Sequence, residues 1–254
     1  MGNFVFCIPS YNSVDKQNFL KYAIGLGYKK EELFLQVQNE RDYAEYSARY
    51  GSVANVCYSA AKNAAQNKNN ALRSLSSKNV VIVSDKVEAV FKLDGECKGK
   101  KIDTRKELDR IVDTGFAICK NSNVEFWGVY LVENYFFMSN SIQVNNLLLG
   151  CFMGFPKGNA WFFDEELPLK DDYEICLRAI AYGKKVFRFN NICLKERFHQ
   201  KGGCYEMWNA EGDSVNRECT QRIIMCYPDL VKEHPKRKNE IKYIGETKKI
   251  KFTF

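Results

Sequence analysis

"NVVIVSDKVEAVFKL" (79–93) opens as the strand on which the reading of the fold turns. Val80, Val81, Ile82 and Val83 are apolar and β-branched with no polar alternation, the pattern of a strand covered on both faces. The run then meets Ser84-Asp85-Lys86 and resumes as an amphipathic segment. Upstream, strand and helix patterns alternate with short connections. "FVFCIPSYN" (4–12) reads as a buried strand stopped by Pro9, "QNFLKYAIGLGY" (17–28) as a helix ending at Gly25 and Gly27, and "LFLQVQN" (33–39) as a second strand. "ERDYAEYSARYG" (40–51) spaces its tyrosines for a helix, "VANVCYS" (53–59) is a short strand, and "AAKNAAQNKNNALRSLS" (60–76) is a helix. Such alternation is the signature of βαβ units and a parallel sheet. Ligands of these sheets bind outside the carboxyl ends of the strands, where Pro9-Ser10-Tyr11-Asn12 and Ser84-Asp85-Lys86 fall.

The 254 residues suffice for one large α/β domain or two small ones, and 45% hydrophobic with 27% charged residues is ordinary for a globular chain. Lys and Arg outnumber Asp and Glu by 38 to 31; the net charge of +7 is compatible with a polyanionic partner. The ten cysteines include no CxxC pair, so paired zinc-ligand spacing is absent, and they read as reduced core residues. The N-terminus lacks the basic region of a signal peptide, and no apolar run approaches the ~18 residues of a membrane span. The expected location is the cytoplasm, with no membrane partner. Beyond residue 93, a helix is expected near 104–113, the aromatic stretches 124–140 and 141–155 read as strands, and 185–198 as a strand or strand pair.

The densest polar chemistry lies in 162–203. Asp171 and Asp172 open a helix (about 171–182) that ends at Gly183; they either cap it or present one carboxylate to a cleft as a general base. His199 precedes Gly202-Gly203, a pair that lets backbone approach a phosphate; it is either structural or a ligand, whereas His234 reads as surface. Arg73 either faces the Asp85 cleft or lies on a solvated helix face.

In this order the pieces resemble a GT-A glycosyltransferase: "CIPSYN" (7–12), "NNALRSL" (69–75), the strand ending at Asp85, "KDDYE…LRAIAYGKKVFRFN" (170–190) and "FHQKGG" (198–203) cover most of residues 4–205. The pattern is similar to the TET-associated glycosyltransferases, bacteriophage relatives of the base J glucosyltransferase. The resemblance implies an α/β, Rossmann-like GT-A fold with a mixed, mostly parallel sheet, a catalytic domain over 1–205 and a basic extension over 206–254. It implies transfer of a hexose, from UDP-glucose, to the hydroxymethyl group of a modified pyrimidine in DNA, 5-hydroxymethylcytosine before 5-hydroxymethyluracil. Pro9, Ser10 and Tyr11 would cradle the nucleotide, Arg73 and Gly202-Gly203 would serve the donor, and Asp172 would be the base with Asp171 beside it. Relatives carry an acid that binds Mn²⁺ or Mg²⁺ where this chain has Lys86, which cannot ligate a cation while protonated. Lys86 would instead place a charge near the leaving diphosphate; Asp85 would bind donor hydroxyls or hold a metal with His199. The aromatics at Trp127, Trp161 and Trp208, with 98–101 and 234–252, are candidates for contacts to bases and phosphates. Two rivals share most of these residues: a transferase acting on a glycan, and a non-catalytic binder with a degenerate site.

Overall fold

A computed structural model describes residues 4–95, 97–130, 133–196 and 212–252. The first half follows the βα alternation: β1 (Phe4–Ser10), α1 (Asn18–Gly25), β2 (Leu33–Val37), α2 (Glu40–Tyr50), β3 (Asn55–Tyr58), α3 (Ala64–Ser74) and β4 (Asn79–Val83). Next come the hairpin strands β5 (Val87–Leu93) and β6 (Gly99–Lys101), α4 (Arg105–Ser122), β7 (Val124–Tyr130), β8 (Ser141–Val144) and β9 (Phe152–Phe155). The chain continues through α5 (Asp171–Ala181), β10 (Lys185–Glu196), α6 (Gly212–Cys226), β11 (Val231–Glu233), β12 (Ile241–Tyr243) and β13 (Lys248–Lys251).

The main sheet runs β13-β8-β10-β7-β9-β4-β1-β2-β3, with β5 also on β10 and β6 on β5. Along that path only β8 and β9 oppose the common direction, so the sheet is mixed and mostly parallel, as expected. Alternation along the strands builds two cores. Phe6, Ile8, Val81, Val83, Trp127 and Phe187 face one side, with residues of α1, α2 and α4. Val5, Cys7, Val80, Ile82, Phe126 and Val186 face the other, with residues of α3, α5 and α6. Both faces are therefore buried, which is why 80–83 shows no polar alternation. Cys219, Ile223, Val231 and Ile241 join the second core, so this part of the C-terminal region packs on the same body.

Three differences from the expectation have physical reasons. Pro9 does not stop β1, which continues to Ser10; the β4 ladder ends at Cys7 opposite Ile82, so Pro9 lies beyond it. The helix expected near 104–113 runs to Ser122, because Leu108, Ile111, Val112, Gly115, Phe116 and Cys119 keep its apolar stripe going until Asn123 ends it in a left-handed turn at φ 52°. The stretch 124–140 is not strand throughout: after β7 it contains a 3₁₀ turn at Tyr135–Phe137.

Trp127, fully buried, presses on glycine backbone. A Cβ at Gly154 would meet its Nε1 at 2.1 Å, and one at Gly115 its Cε2 at 2.4 Å. Gly154→Ala is expected to cost about 1–3 kcal/mol of stability by overpacking, read as a lower midpoint in thermal or urea unfolding.

Candidate active site

The carboxyl ends of β1 and β4 meet in a buried polar knot. Ser10 and Ser13 each donate a hydroxyl to Asp85 Oδ2 at 2.8 Å. Gln17 Nε2 donates to Ser10 Oγ at 2.7 Å, and the Tyr46 hydroxyl lies 2.8 Å from Ser10 Oγ and accepts the Ser13 N–H at 3.1 Å. The Asp85 carbonyl accepts the N–H groups of Asn18 and Phe19 at the start of α1. Burial pushes the Asp85 carboxyl up, while the two serine hydroxyls and Lys86 oppose that. Asp85 is thus a clamp that shapes the β1 loop, carrying the half-buried Pro9 and Tyr11.

A second cluster forms at the start of α5. The chain passes through a left-handed residue, Lys170 at φ 62°, which is the N-cap and makes no side-chain cap. Neither acid occupies the cap position; both lie in the first turn, where the macrodipole favours carboxylates. Asp171 pairs with Lys68 from α3, both side chains being nearly buried. Asp172 Oδ2 accepts the Gly150 N–H at 2.8 Å, and its Oδ1 the Tyr173 N–H at 2.9 Å. Gly150 lies beside both groups: a Cβ there would be in ordinary contact with Asp172 Cβ at 3.4 Å and with Lys68 Nζ at 3.7 Å. Lys68 Nζ also sits 4.3 Å from the Phe163 ring centroid. Burial, then the charge of Asp171, lifts the Asp172 carboxyl to about 6, against Lys68 and the two N–H donors.

Cys151 and Glu196 join the clusters. Ser84 N–H donates to the Cys151 carbonyl at 3.0 Å, and Ser84 Oγ to Glu196 Oε1 at 2.7 Å. The half-buried Cys151 thiol is pushed up, first by desolvation and then by the charges of Glu196 and Asp172. A continuous polar track therefore runs from Asp85 through Ser84, Glu196 and Cys151 to Asp172. It lies at the carboxyl ends of β4 and β10 and the opposite end of β9, where Val83 pairs Phe152.

Arg73 does not join it. The guanidinium reaches Glu165 at 3.1 Å, lies 5.0 Å from the Phe162 ring centroid, and is half exposed. Five residues at 100° each put Arg73 about 140° round α3 from Lys68, which explains why Lys68 is the cation that enters. Trp127 is core rather than a stacking surface, and the half-buried Trp161 donates to Glu125 at 2.9 Å. His199, Gly202, Gly203 and Trp208 lie outside the described residues, on the chain that continues from Glu196. Among the described residues no three His, Cys, Asp or Glu side chains are grouped to hold a metal ion. Asp85 Oδ2 is taken by two hydroxyls and Lys86 follows it in the chain, while His199, the other expected ligand, lies outside the described residues.

No family model matches the chain, and no curated protein does. Solved structures do. S. aureus TarS 1–349 in complex with UDP-GlcNAc superposes with a TM-score of 0.53 at 14% identity, covering 87% of this chain and 66% of that one. The same protein with UDP gives 0.50 at 13% identity, over 87% and 65%. A mycobacterial protein gives 0.54 at 8% identity, over 99% and 85%. The chain thus spans just under two thirds of the TarS 1–349 chains. At such identities the likeness is one of fold. The chain has a GT-A-like α/β fold shared with TarS. No helix among the described residues is long and apolar enough to cross a membrane.

Proposed function

We propose that the chain is an inverting, nucleotide-sugar-dependent glycosyltransferase that moves glucose from UDP-glucose to the hydroxymethyl group of 5-hydroxymethylcytosine in DNA. The observation that carries the transferase reading is Asp172, half-buried at the carboxyl edge of a GT-A-like sheet, with its carboxyl lifted to about 6 beside the Lys68–Asp171 pair. The UDP and UDP-GlcNAc complexes of TarS support the donor class. The motif order of the TET-associated family and the net charge of +7 support DNA as acceptor.

Asp172 takes the proton of the acceptor hydroxyl as its oxygen attacks the anomeric carbon. The bond from that carbon to the diphosphate oxygen breaks, the electron pair leaves with UDP, and the configuration inverts. Lys86, at the end of β4, supplies positive charge to the departing diphosphate. Asp85 acts through the β1 loop, holding Ser10 and Ser13 in place so that Pro9, Ser10 and Tyr11 can receive the nucleotide. A pyrimidine in a duplex must leave the stack before its 5-substituent reaches Asp172.

The test is UDP release from UDP-glucose, with and without 5-hydroxymethylcytosine DNA, each in Mn²⁺ and in EDTA. Release that requires the DNA and survives EDTA is the expected result. Release that requires the DNA but stops in EDTA keeps the transfer and removes the role given to Lys86. Silence in all four conditions, with UDP-GlcNAc as well as UDP-glucose, overturns the reading.

A further inference from the structure

The β11–β12 hairpin carries a cationic face that the transfer chemistry does not use. Residues 232–242 hold five Lys or Arg and two Glu. Lys232 stands directly opposite Lys242 in the antiparallel register. Val231 and Ile241, one position along on each strand, are buried in the second core, so alternation turns Lys232 and Lys242 together to the outer face. Both are exposed, as are Lys236 and Arg237 in the loop. Like charges directly opposite one another weaken a hairpin. Nothing offsets that repulsion: among the described residues no acid pairs with Lys232, Lys236, Arg237 or Lys242. Of the two acids, Glu233 stands opposite Ile241 and alternates away from the outer face, and Glu240 is taken up by Lys170. Asp229 and Glu246 lie beyond the open end, where the Ile244 N–H donates to the Leu230 carbonyl at 2.8 Å.

The hairpin is fixed in place, and beside Asp172. Thr220 of α6 donates its hydroxyl to the Asn239 carbonyl at 2.9 Å, and the His234 N–H donates to the Glu240 carbonyl at 2.8 Å. His234 Nδ1 accepts the N–H groups of Lys236 and Arg237, each at 3.1 Å, which shapes the loop. Glu240 Oε1 lies 3.3 Å from Lys170 Nζ. Lys170 is the N-cap of α5, two residues before Asp172. Burial pushes the hydroxyl of Tyr173, the residue after Asp172, upward, and Arg237 lies near enough to oppose that rise. Lys242 follows Glu240 by two residues, about 7 Å along the strand. Cations therefore flank the start of α5, from Arg237 in the loop to Lys242 on the outer face.

We propose that the outer face of this hairpin, with Lys232, Lys242 and the loop cations Lys236 and Arg237, receives phosphates of the acceptor DNA next to the nucleotide that enters the site. This rests on the reading of DNA as the acceptor and deepens it by placing the strand. A nucleic-acid backbone presents closely spaced negative charges, and a phosphate brought between Lys232 and Lys242 turns their mutual repulsion into two attractions. Contacts of this kind position a strand and read no sequence, which suits an enzyme whose target is one modified base. An anionic bilayer also attracts an exposed basic face, and the experiment separates it.

A labelled duplex carrying one 5-hydroxymethylcytosine is titrated at several salt concentrations with wild-type protein, with Lys232→Gln/Lys242→Gln, and with Lys106→Gln/Lys120→Gln. The last pair removes the same charge from exposed positions of α4, which packs on the opposite face of the sheet from the hairpin. The hairpin variant is expected to raise Kd about tenfold or more at low salt and to lower the slope of log Kd against log salt by about two. The α4 variant is expected to leave that slope unchanged. UDP-glucose affinity should stay at the wild-type value in both, and the hairpin variant should unfold at or above the wild-type midpoint because a repulsion is removed. A Kd and slope equal to wild type in the hairpin variant, or an equal loss in both variants, overturns the docking surface and leaves the reading of the acceptor standing. Failure of the wild-type protein to bind the DNA at all overturns both. Sedimentation with phosphatidylserine vesicles that the hairpin variant loses, with DNA affinity kept, assigns the face to a membrane and overturns the proposal.

Discussion

Asp172→Asn is expected to lower turnover by about 10²- to 10⁴-fold, the range for loss of a general base, while UDP-glucose affinity and thermal midpoint stay near wild type. The substitution is isosteric, and its amide oxygen can still accept one of the N–H groups of Gly150 and Tyr173 that now bind the carboxylate. What is lost is the capacity to take a proton. The pH profile adds a second, independent reading of the same group. A base works only when ionised, so wild-type turnover must fall as pH drops through its pKa. Burial and the neighbouring Asp171 place that limb at about 6, whereas an ordinary aspartate would place it near ~4. An Asn variant with undiminished turnover, or a wild-type profile flat from pH 7 down to 5, would remove Asp172 from the chemistry.

Residues 80–83 show why the fold could be read from the chain. A strand buried on both faces needs apolar residues at every position, and the two cores that take Val80 and Val81 to opposite sides impose that need directly. The site was legible in part for a similar reason: βα alternation locates the carboxyl edge of the sheet, and Asp85 and Asp171-Asp172 lie at element ends along it. Orientation was not legible. The Ser-Asp-Lys string places Asp85 at the end of β4, but the hydroxyls that turn its carboxylate toward the β1 loop come from Ser10 and Ser13, more than seventy positions away. Lys68 and Arg73 lie on one helix, and choosing between them requires the phase at which α3 meets α5. Glu196 and Cys151 reach Ser84 from β10 and from the residue before β9. Only the folded sheet brings those elements together.

Lys68→Met tests the Asp171–Asp172 arrangement at its weakest point. Lys68 and Asp171 retain only 11% and 13% side-chain exposure, so removing the cation strands a nearly buried carboxylate. Breaking such a pair from one side costs about 3–5 kcal/mol, a loss that urea unfolding resolves. The chemistry should shift as well. Lys68 holds the Asp172 carboxyl down, and without it burial and the Asp171 charge act unopposed by that cation, so the acid limb of turnover should move above the wild-type position. Adding Asp171→Asn separates the two effects from general damage. The double variant has no stranded charge and no carboxylate pressing on Asp172, so stability should recover most of the loss and the limb should move back down. If the single variant unfolds at the wild-type midpoint with an unmoved limb, Lys68 is not the partner of Asp171. If the double variant is as unstable as the single one, the contact of the Lys68 ammonium with the Phe163 ring, rather than its pairing with Asp171, supports the site.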